Sequence, residues 1–311
     1  MNTLPFTTQA LVAEPLRSLT VNAAEHPRGQ PHFSAASGLV CALGRAYVVS
    51  DDEHHLAVFR DLHSPGLLHR ILPGDLPQSK KARKQLKPDL EALLLLPGTE
   101  SGEHHSLIAF GSGSRPNRDT GIVIPLSARG GPSAQVQRFD LKPLYEPLRA
   151  ALGEINIEGA MLLADTLVLL HRGISGESNN AAVHYRLNEL RAVIDGKRHT
   201  VAPRAIRPYR LGAIDGVELG FTDGTALPGG GWVFCAAAEN TADSYADGPC
   251  RGSALGVVDA HGALVALHQL ADTSLKVEGI AARAHAAGID ICLVTDADDP
   301  RLSSQLLFTR L

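Results

Sequence analysis

A short motif recurs five times along this chain of 311 residues, at intervals of 54 to 67 residues. In each copy an acidic or hydroxyl residue is followed by a small residue and then by strand-forming residues. The residues that open the five copies are Ser37, Glu91, Glu158, Asp223 and Glu278. Recurrence at a roughly fixed period indicates a repeat architecture, in which each unit buries its apolar face against its neighbours. This repeat constrains the fold more than any other feature of the sequence.

Each interval divides into short β-rich runs separated by turn residues. The last interval ends one strand short, whereas the N-terminal run FTTQALVAEPL has no place in the first. We therefore predict an all-β fold, a five-bladed β-propeller, in which residues around 6–14 pair beside the strand that ends at Leu311. Pairing of the two termini in one blade closes the ring and removes an exposed sheet edge.

Two other arrangements remain open at this stage. One is a six-bladed ring in which residues 17–35 hide a degenerate unit, and the other is a pair of β-sandwiches. The segments 141–153 and 186–197 have helical spacing, so we expect them to be excursions between or within blades. Thirty glycines and nineteen prolines favour many turns over a helical domain. We expect a single domain over residues 1–311.

Composition narrows the class of protein. The formal net charge of −4 argues against a general nucleic-acid binder, and no apolar stretch approaches the roughly 18 residues of a membrane span. The N-terminus lacks the cationic start and apolar core of a signal peptide. The four cysteines show no zinc-ligand spacing, and three lie in apolar runs, typical of small buried hydrophobes. We expect a monomer in a reducing cytoplasm, with neither nucleic-acid nor membrane partners.

In a propeller the first strand of each blade lines the central channel, so the five motif residues should form one ring near the channel mouth. Four carboxylates in a narrow channel repel one another: two unit charges about 4 Å apart cost about 4 kcal/mol at an effective dielectric of about 20. The ring should therefore hold shared protons, water or a cation. Ligands of this kind suit calcium, with magnesium as the alternative. The small residue after each acid lets the inner strands approach closely.

Polar loops that follow the second strand of each blade should gather around the same mouth. Their arginines favour a small anionic ligand, because guanidinium grips carboxylate or phosphate with two hydrogen bonds. The lysine-rich run at 80–89 leads directly to Glu91, where a solvated loop is favoured over a phosphate clamp. The candidate catalytic bases are Asp51, His171 and Asp296. The candidate substrate-binding residues are Arg115, Arg118, Arg172, Asn180 and Asn240.

The series of Ser37, two glutamates, Asp223 and Glu278 resembles the five-bladed calcium-dependent apyrases, in which each blade contributes one residue around a central calcium. More loosely, the Glu-Gly-Ile type of motif is similar to the esterase-like phytase propellers and to the gluconolactonase group. The resemblance covers the five motifs and the blade rhythm, and it implies that the five motif residues surround the metal. In the fourth blade Asp223 stands where a serine would be expected, and Thr222 is the adjacent candidate.

These observations predict a calcium-binding propeller hydrolase acting on a small anionic ester, phosphate or lactone. The metal would polarise a substrate oxygen or ready a water molecule, and an aspartate or histidine at the mouth would act as base. The alternative is a non-catalytic binding module in which a structural metal pins the five blades together.

Overall fold

The computed structural model describes residues 6–7, 9–98, 104–173, 179–240 and 249–311. Within these residues the strands form five antiparallel sheets, and each sheet is one blade of a β-propeller. The predicted five-bladed all-β fold is confirmed. In the same part of the chain, no helix is both long enough and apolar enough to cross a membrane.

The strands follow one another blade by blade. The N-terminal strand is β1 (Glu14–Ser18). Blade 1 contains β2 (Ala36–Ala42), β3 (Arg45–Ser50), β4 (His55–Phe59) and β5 (Leu67–Arg70). Blade 2 contains β6 (Leu90–Leu96), β7 (Ser106–Gly111), β8 (Thr120–Pro125) and β9 (Gln137–Asp140). Blade 3 contains β10 (Ile157–Leu163), β11 (Thr166–His171), β12 (Asn180–Arg186) and β13 (Ala205–Tyr209).

Blades 4 and 5 depart slightly from this pattern. Blade 4 has a short extra strand before its inner strand and contains β14 (Ala213–Ile214), β15 (Val217–Ala226), β16 (Trp232–Glu239), β17 (Cys250–Val258) and β18 (Leu264–Gln269). Blade 5 contains β19 (Val277–His285), β20 (Gly288–Thr295) and β21 (Gln305–Arg310). Its fourth strand is β1, which pairs with β21 from the other end of the chain.

The closing strand was expected at residues around 6–14 and instead spans Glu14–Ser18. It pairs antiparallel with β21, so that Glu14 lies opposite Phe308 and Ser18 opposite Gln305. The apolar residues just before it pack between blades 4 and 5, where Leu11 forms a parallel bridge with Leu270. An outer strand is largely exposed and needs little apolar character, so the apolar run was a poor guide to its position.

In the described part of the chain, three short α-helices interrupt the blades. α2 (Lys142–Leu152) and α3 (Leu187–Ile194) confirm the helical excursions expected at 141–153 and 186–197. α1 (Lys80–Leu86) lies in the lysine-rich run that was expected to be a loop. The Ser79 hydroxyl caps α1 by accepting a 3.2 Å hydrogen bond from the Ala82 amide, a common way to satisfy the first turn of a helix.

The apolar cores lie between neighbouring blades. Blades 2 and 3 share one cluster with α2 and α3, which bury Leu144 and Leu190 respectively. Burial of one leucine side chain contributes about 1.5–3 kcal/mol, so each blade depends on its neighbours for most of its stability. The inner strands approach closely at the axis: a Cβ on Gly38 would lie only 2.7 Å from the amide nitrogen of Leu93. This contact supports the expected role of the small residue in the motif.

Candidate functional site at the channel mouth

The motif glutamates occupy β-bulges at the start of three inner strands. In β6, β10 and β19 the pairing register skips one residue, and the skipped residues are Glu91, Glu158 and Glu278. A bulge bends the strand and re-aims the extra side chain. All three glutamates line one cavity of about 190 Å³ together with Ser37 from blade 1, whose hydroxyl donates a 3.4 Å hydrogen bond to the carbonyl of Ala35.

Asp223 does not occupy the ring position predicted from the sequence, because the bulge of blade 4 lies one residue earlier, at Thr222. In blade 4 the register skips Thr222, so Asp223 takes the position that Gly159 and Gly279 hold in their blades. Asp223 is buried and does not line the described cavity; its Oδ1 accepts a 2.7 Å hydrogen bond from the Gly224 amide. Thr222 is also buried there. Its hydroxyl donates to the carbonyl of Val277 in blade 5, 2.8 Å away.

Protein cations lie among the cavity's carboxylates. On one side the ammonium of Lys87 contacts the carboxylate of Asp51 and lies 2.8 Å from Oδ1 of Asp89. The guanidinium of Arg118 lies 2.7 Å from the other oxygen of Asp89. These pairs neutralise two carboxylates beside Glu91, so repulsion within the ring does not by itself require a metal.

A second cluster lies around Lys276. Its ammonium is 2.8 Å from Asp298, 3.1 Å from Glu278 and 3.6 Å from Glu239. Arg172 bridges this group to blade 3, since its guanidinium lies 2.8 Å from Glu239 and 3.8 Å from Glu158. The side chains of Lys276 and Glu239 are 9% and 4% exposed, so this ion pair is buried, whereas Asp298 is 32% exposed.

Burial raises the pKa of several cavity carboxyl groups in spite of these ion pairs. Among the described residues, ten carboxylates and eight lysine or arginine side chains line the cavity. Burial raises the pKa of Glu158 to about 8 and that of Asp51 to about 6, against the opposing effects of Arg172 and Lys87 respectively. Burial likewise raises the pKa of Glu91 well above its usual range. Burial would raise the pKa of Asp89 too, but Lys87 and Arg118 hold it below its usual value.

Three carboxylates on one wall form a candidate cation site. Asp51, Asp89 and Glu91 each offer an oxygen, and these oxygens lie within 4.8 Å of one another. Oδ1 of Asp51 is buried and makes no hydrogen bond within the described part of the chain, so an acceptor is left for a ligand. Oxygen ligands of this kind suit Ca²⁺ or Mg²⁺. Of the five ring residues predicted from sequence, only Glu91 belongs to this group.

Two of the three candidate bases reach the cavity. Asp51 and Asp296 line it, whereas His171 does not. The His171 ring is buried, and its Nδ1 accepts a 3.1 Å hydrogen bond from the Asn156 amide. Burial lowers the pKa of His171 to about 4, although that hydrogen bond opposes the shift. His171 is the last residue of β11 and supports the start of β10, while the next residue, Arg172, points into the cavity.

Two of the five candidate substrate-binding residues line the cavity. Arg118 and Arg172 line the cavity; Arg115 and Asn240 are exposed and do not belong to its described lining. Asn180 is buried between blades 3 and 4, where its amide donates a 2.8 Å hydrogen bond to the carbonyl of Leu219. Its role there is structural, because its Oδ1 also accepts from two backbone amides.

Sequence reasoning missed the cavity residues that stand two positions before a motif glutamate. Asp89 precedes Glu91 and Lys276 precedes Glu278 at this spacing, and both side chains line the cavity. Each of them stands just before its inner strand begins, so its closeness in sequence to a motif glutamate was an available signal. Glu239 and Asp298 also line the cavity, and they lie in the polar loops after second strands that were expected at the mouth. Lys87 lies in the lysine-rich run that leads to Glu91.

Comparisons with known proteins place the chain in a family. A family model described as a family of unknown function (DUF6929) matches residues 32–311, whereas no curated protein matches. An arabinoxylan arabinofuranohydrolase of glycoside hydrolase family 43 from Bacillus subtilis has a similar structure, with a TM-score of 0.50, 11% identity and coverage of 94% of this chain and 66% of that chain.

Two further solved structures cover nearly the whole chain. A putative glycoside hydrolase from Parabacteroides distasonis has 12% identity and a TM-score of 0.47, with 99% of this chain and 97% of that chain covered. A luciferin-regenerating enzyme has 8% identity and the same TM-score, with 96% and 95% covered. At such identities the likeness concerns the fold alone. The family match spans most of the sequence, and the chain belongs to the DUF6929 family.

Proposed function

We propose that this protein is a metal-dependent hydrolase that acts on a small anionic ester, phosphate or lactone at the channel mouth. The observation that carries the proposal is the group of Asp51, Asp89 and Glu91, whose oxygens converge in the wall of a cavity that also contains Glu158. The proposal agrees with the resemblance to calcium-dependent propeller enzymes. It differs from that resemblance in the metal ligands, which lie on one wall of the cavity and do not surround the axis.

The charge balance supports a divalent cation at this wall. Lys87 and Arg118 compensate Asp51 and Asp89, which leaves Glu91 as the carboxylate without an ion-pair partner in the described contacts. Burial, followed by repulsion from Asp89, Glu158 and Asp51, raises the pKa of Glu91, and a bound cation would relieve the repulsion among these carboxylates. Calcium takes six to eight oxygen ligands, so water and substrate oxygens would complete the shell. When bound, the ion would polarise a substrate oxygen.

Glu158 is the proposed general acid. With a pKa of about 8 it is protonated at neutral pH and can donate a proton to a leaving oxygen. The Asn156 side-chain amide donates a hydrogen bond to Oε1 of Glu158, and Arg172 lies 3.8 Å from the same oxygen. These two neighbours orient the carboxyl group toward the cavity. The exposed Lys80 adds positive charge to the cavity lining and favours an anionic substrate, whereas Arg28 is already paired with Glu53 at 2.7 Å.

A second candidate function is a non-catalytic small-molecule binding module. It is favoured by the ion pairs of Lys87, Lys276 and Arg172, which neutralise much of the cavity without any metal. In that case the mixed charges of the lining would bind a ligand with both polar and ionic groups, and no bond would be broken.

The test combines calorimetry with an activity panel. Calcium should bind the wild type, and chromogenic esters, phosphate esters and lactones should reveal turnover that a chelator abolishes. Glu158→Gln should bind calcium normally and lose turnover. Calcium binding without turnover on any substrate class would favour the binding module, and absence of calcium and magnesium binding would overturn the metal site.

A further inference from the structure

Two cysteines, one from the first blade and one from the last, lie on neighbouring strands outside the cavity. Cys41 lies on β2 of blade 1, and Cys292 lies on β20 of blade 5. Leu39 and Cys292 pack in the same apolar cluster between these blades. Because Cys41 follows Leu39 by two residues, its side chain leaves β2 on the same face and reaches blade 5. A Cβ on Gly279 of β19 would lie 2.6 Å from Val294 of β20 and 3.1 Å from Leu39 of β2, so Leu39 and Val294 are neighbours. Cys41 and Cys292 each lie two residues further from the channel mouth on these two strands, which makes them the next pair on the same face.

The pair includes an exposed thiol, whereas Cys235 is buried and Cys250 is half-buried. Cys41 is exposed and Cys292 is half-buried, which corrects the expectation that cysteines in the apolar runs are buried hydrophobes. Cys235 is fully buried and interacts with Thr222, whereas Cys250 contacts the backbone of Gly252. Neither of them contacts a second thiol among the described contacts.

We propose that Cys41 and Cys292 are an oxidation site, at which a hydroperoxide converts the two thiols to a disulfide that joins blade 1 to blade 5. The site is distinct from the cavity, because neither cysteine lines it. The proposal is therefore independent of the proposed hydrolase function.

The two sulfur atoms have different roles: one attacks the peroxide, and the other resolves the sulfenic acid. The neighbouring Cys41 thiol lowers the pKa of Cys292, so we assign Cys292 as the nucleophilic thiolate and Cys41 as the resolving thiol. The thiolate attacks the O–O bond of hydrogen peroxide and forms a sulfenic acid, with hydroxide leaving and taking up a proton to give water. Cys41 then attacks the sulfenic sulfur and releases a second water. Two thiols lose two electrons in total, and one peroxide gains them.

The position of the pair determines the effect of the disulfide. Blades 1 and 5 come from the two ends of the chain, and the ring is otherwise closed by non-covalent contacts such as the pairing of β1 with β21. A crosslink between Cys41 and Cys292 encloses most of the sequence in one loop and restricts the unfolded chain. We therefore expect the oxidised protein to melt at a higher temperature than the reduced protein.

The experiment treats the reduced full chain with a molar excess of hydrogen peroxide and counts free thiols. We expect a fall from four thiols to two, a linked peptide containing Cys41 and Cys292, and a rise in melting temperature that dithiothreitol reverses. Cys250→Ser is the matched control and should still form the link. Cys41→Ser should leave a sulfenic acid on Cys292 that dimedone traps.

Three outcomes would overturn the proposal. One is four free thiols after treatment; another is a disulfide between two molecules in place of the internal link. The third is sulfinic acid on Cys292 of the wild type without any linked peptide, because Cys41 would then have failed to resolve the intermediate. Mass spectrometry separates the three, and none of these readouts depends on enzymatic activity.

Discussion

The amide of Ile280 in blade 5 donates a 3.0 Å hydrogen bond to Oδ2 of Asp223 in blade 4. The other carboxyl oxygen accepts from Gly224. Asp223 thus links the inner strands of blades 4 and 5 at the axis. A motif acid that the sequence suggested as a metal ligand is therefore a structural connection in the folded chain.

Asp223→Asn should destabilise the fold. The asparagine has the same shape but must point an NH₂ group at backbone amides that are themselves donors, which leaves at least one buried donor without an acceptor. The expected loss in the free energy of unfolding is about 1–3 kcal/mol, measured by urea denaturation. Asp165→Asn, in an exposed turn, is the control and should unfold like the wild type. Equal stability of the two variants would contradict the structural role of Asp223.

The fold was predictable because the motif is local. One polar residue, one small residue and one apolar run mark the inner strand of each blade. The residues that face the cavity were harder to predict, because a bulge decides which residue of an inner strand turns inward. In blade 4 the bulge selects Thr222, and a slip of one residue moves a side chain to the other face.

The lysine and arginine side chains that line the cavity were even harder to predict from the sequence. A lysine in a sequence is usually expected to be solvated, and of the three acidic partners of Lys276 only Glu278 lies near it in the sequence. Glu239 and Asp298 come from other loops of blades 4 and 5, so the cluster exists only after the blades have closed. The metal requirement inferred from repulsion among carboxylates therefore rested on an incomplete set of charges.

Lys276→Met should be strongly destabilising. Removal of the ammonium leaves Glu278, Glu239 and Asp298 close together with less compensation, and breaking a buried ion pair in this way costs about 3–5 kcal/mol. Lys197→Met removes the exposed pair with Asp195 and should cost less than about 1 kcal/mol. Chemical denaturation of both variants provides the measurement. Similar small losses would mean that the acids around Lys276 are protonated or solvated in the native protein.

Glu158 should make stability depend on pH. Its pKa in the folded protein is about 8, above the unfolded value, because burial penalises the charged form. A raised folded pKa means that the stabilising contribution is fully present below the unfolded pKa and is lost as pH rises through about 8. The wild type should therefore lose more stability between pH 6 and pH 9 than Glu158→Gln, as measured by urea unfolding at both values. Parallel losses would show that Glu158 titrates near its unfolded pKa.

Calcium should stabilise the wild type, and this stabilisation should depend on Glu91. A ligand that binds only the native state raises the free energy of unfolding by about 2.7 kcal/mol at 100 times its dissociation constant. Glu91→Gln removes one carboxylate of the candidate site and leaves the contacts of Lys87 with Asp51 and Asp89, so the calcium-dependent rise in melting temperature should shrink. Glu278→Gln is the matched control: it removes a motif glutamate that lies in the cluster around Lys276, and its calcium response should match that of the wild type. If both variants lose the response equally, the cation is shared by the whole ring; if neither does, Glu91 is not a ligand.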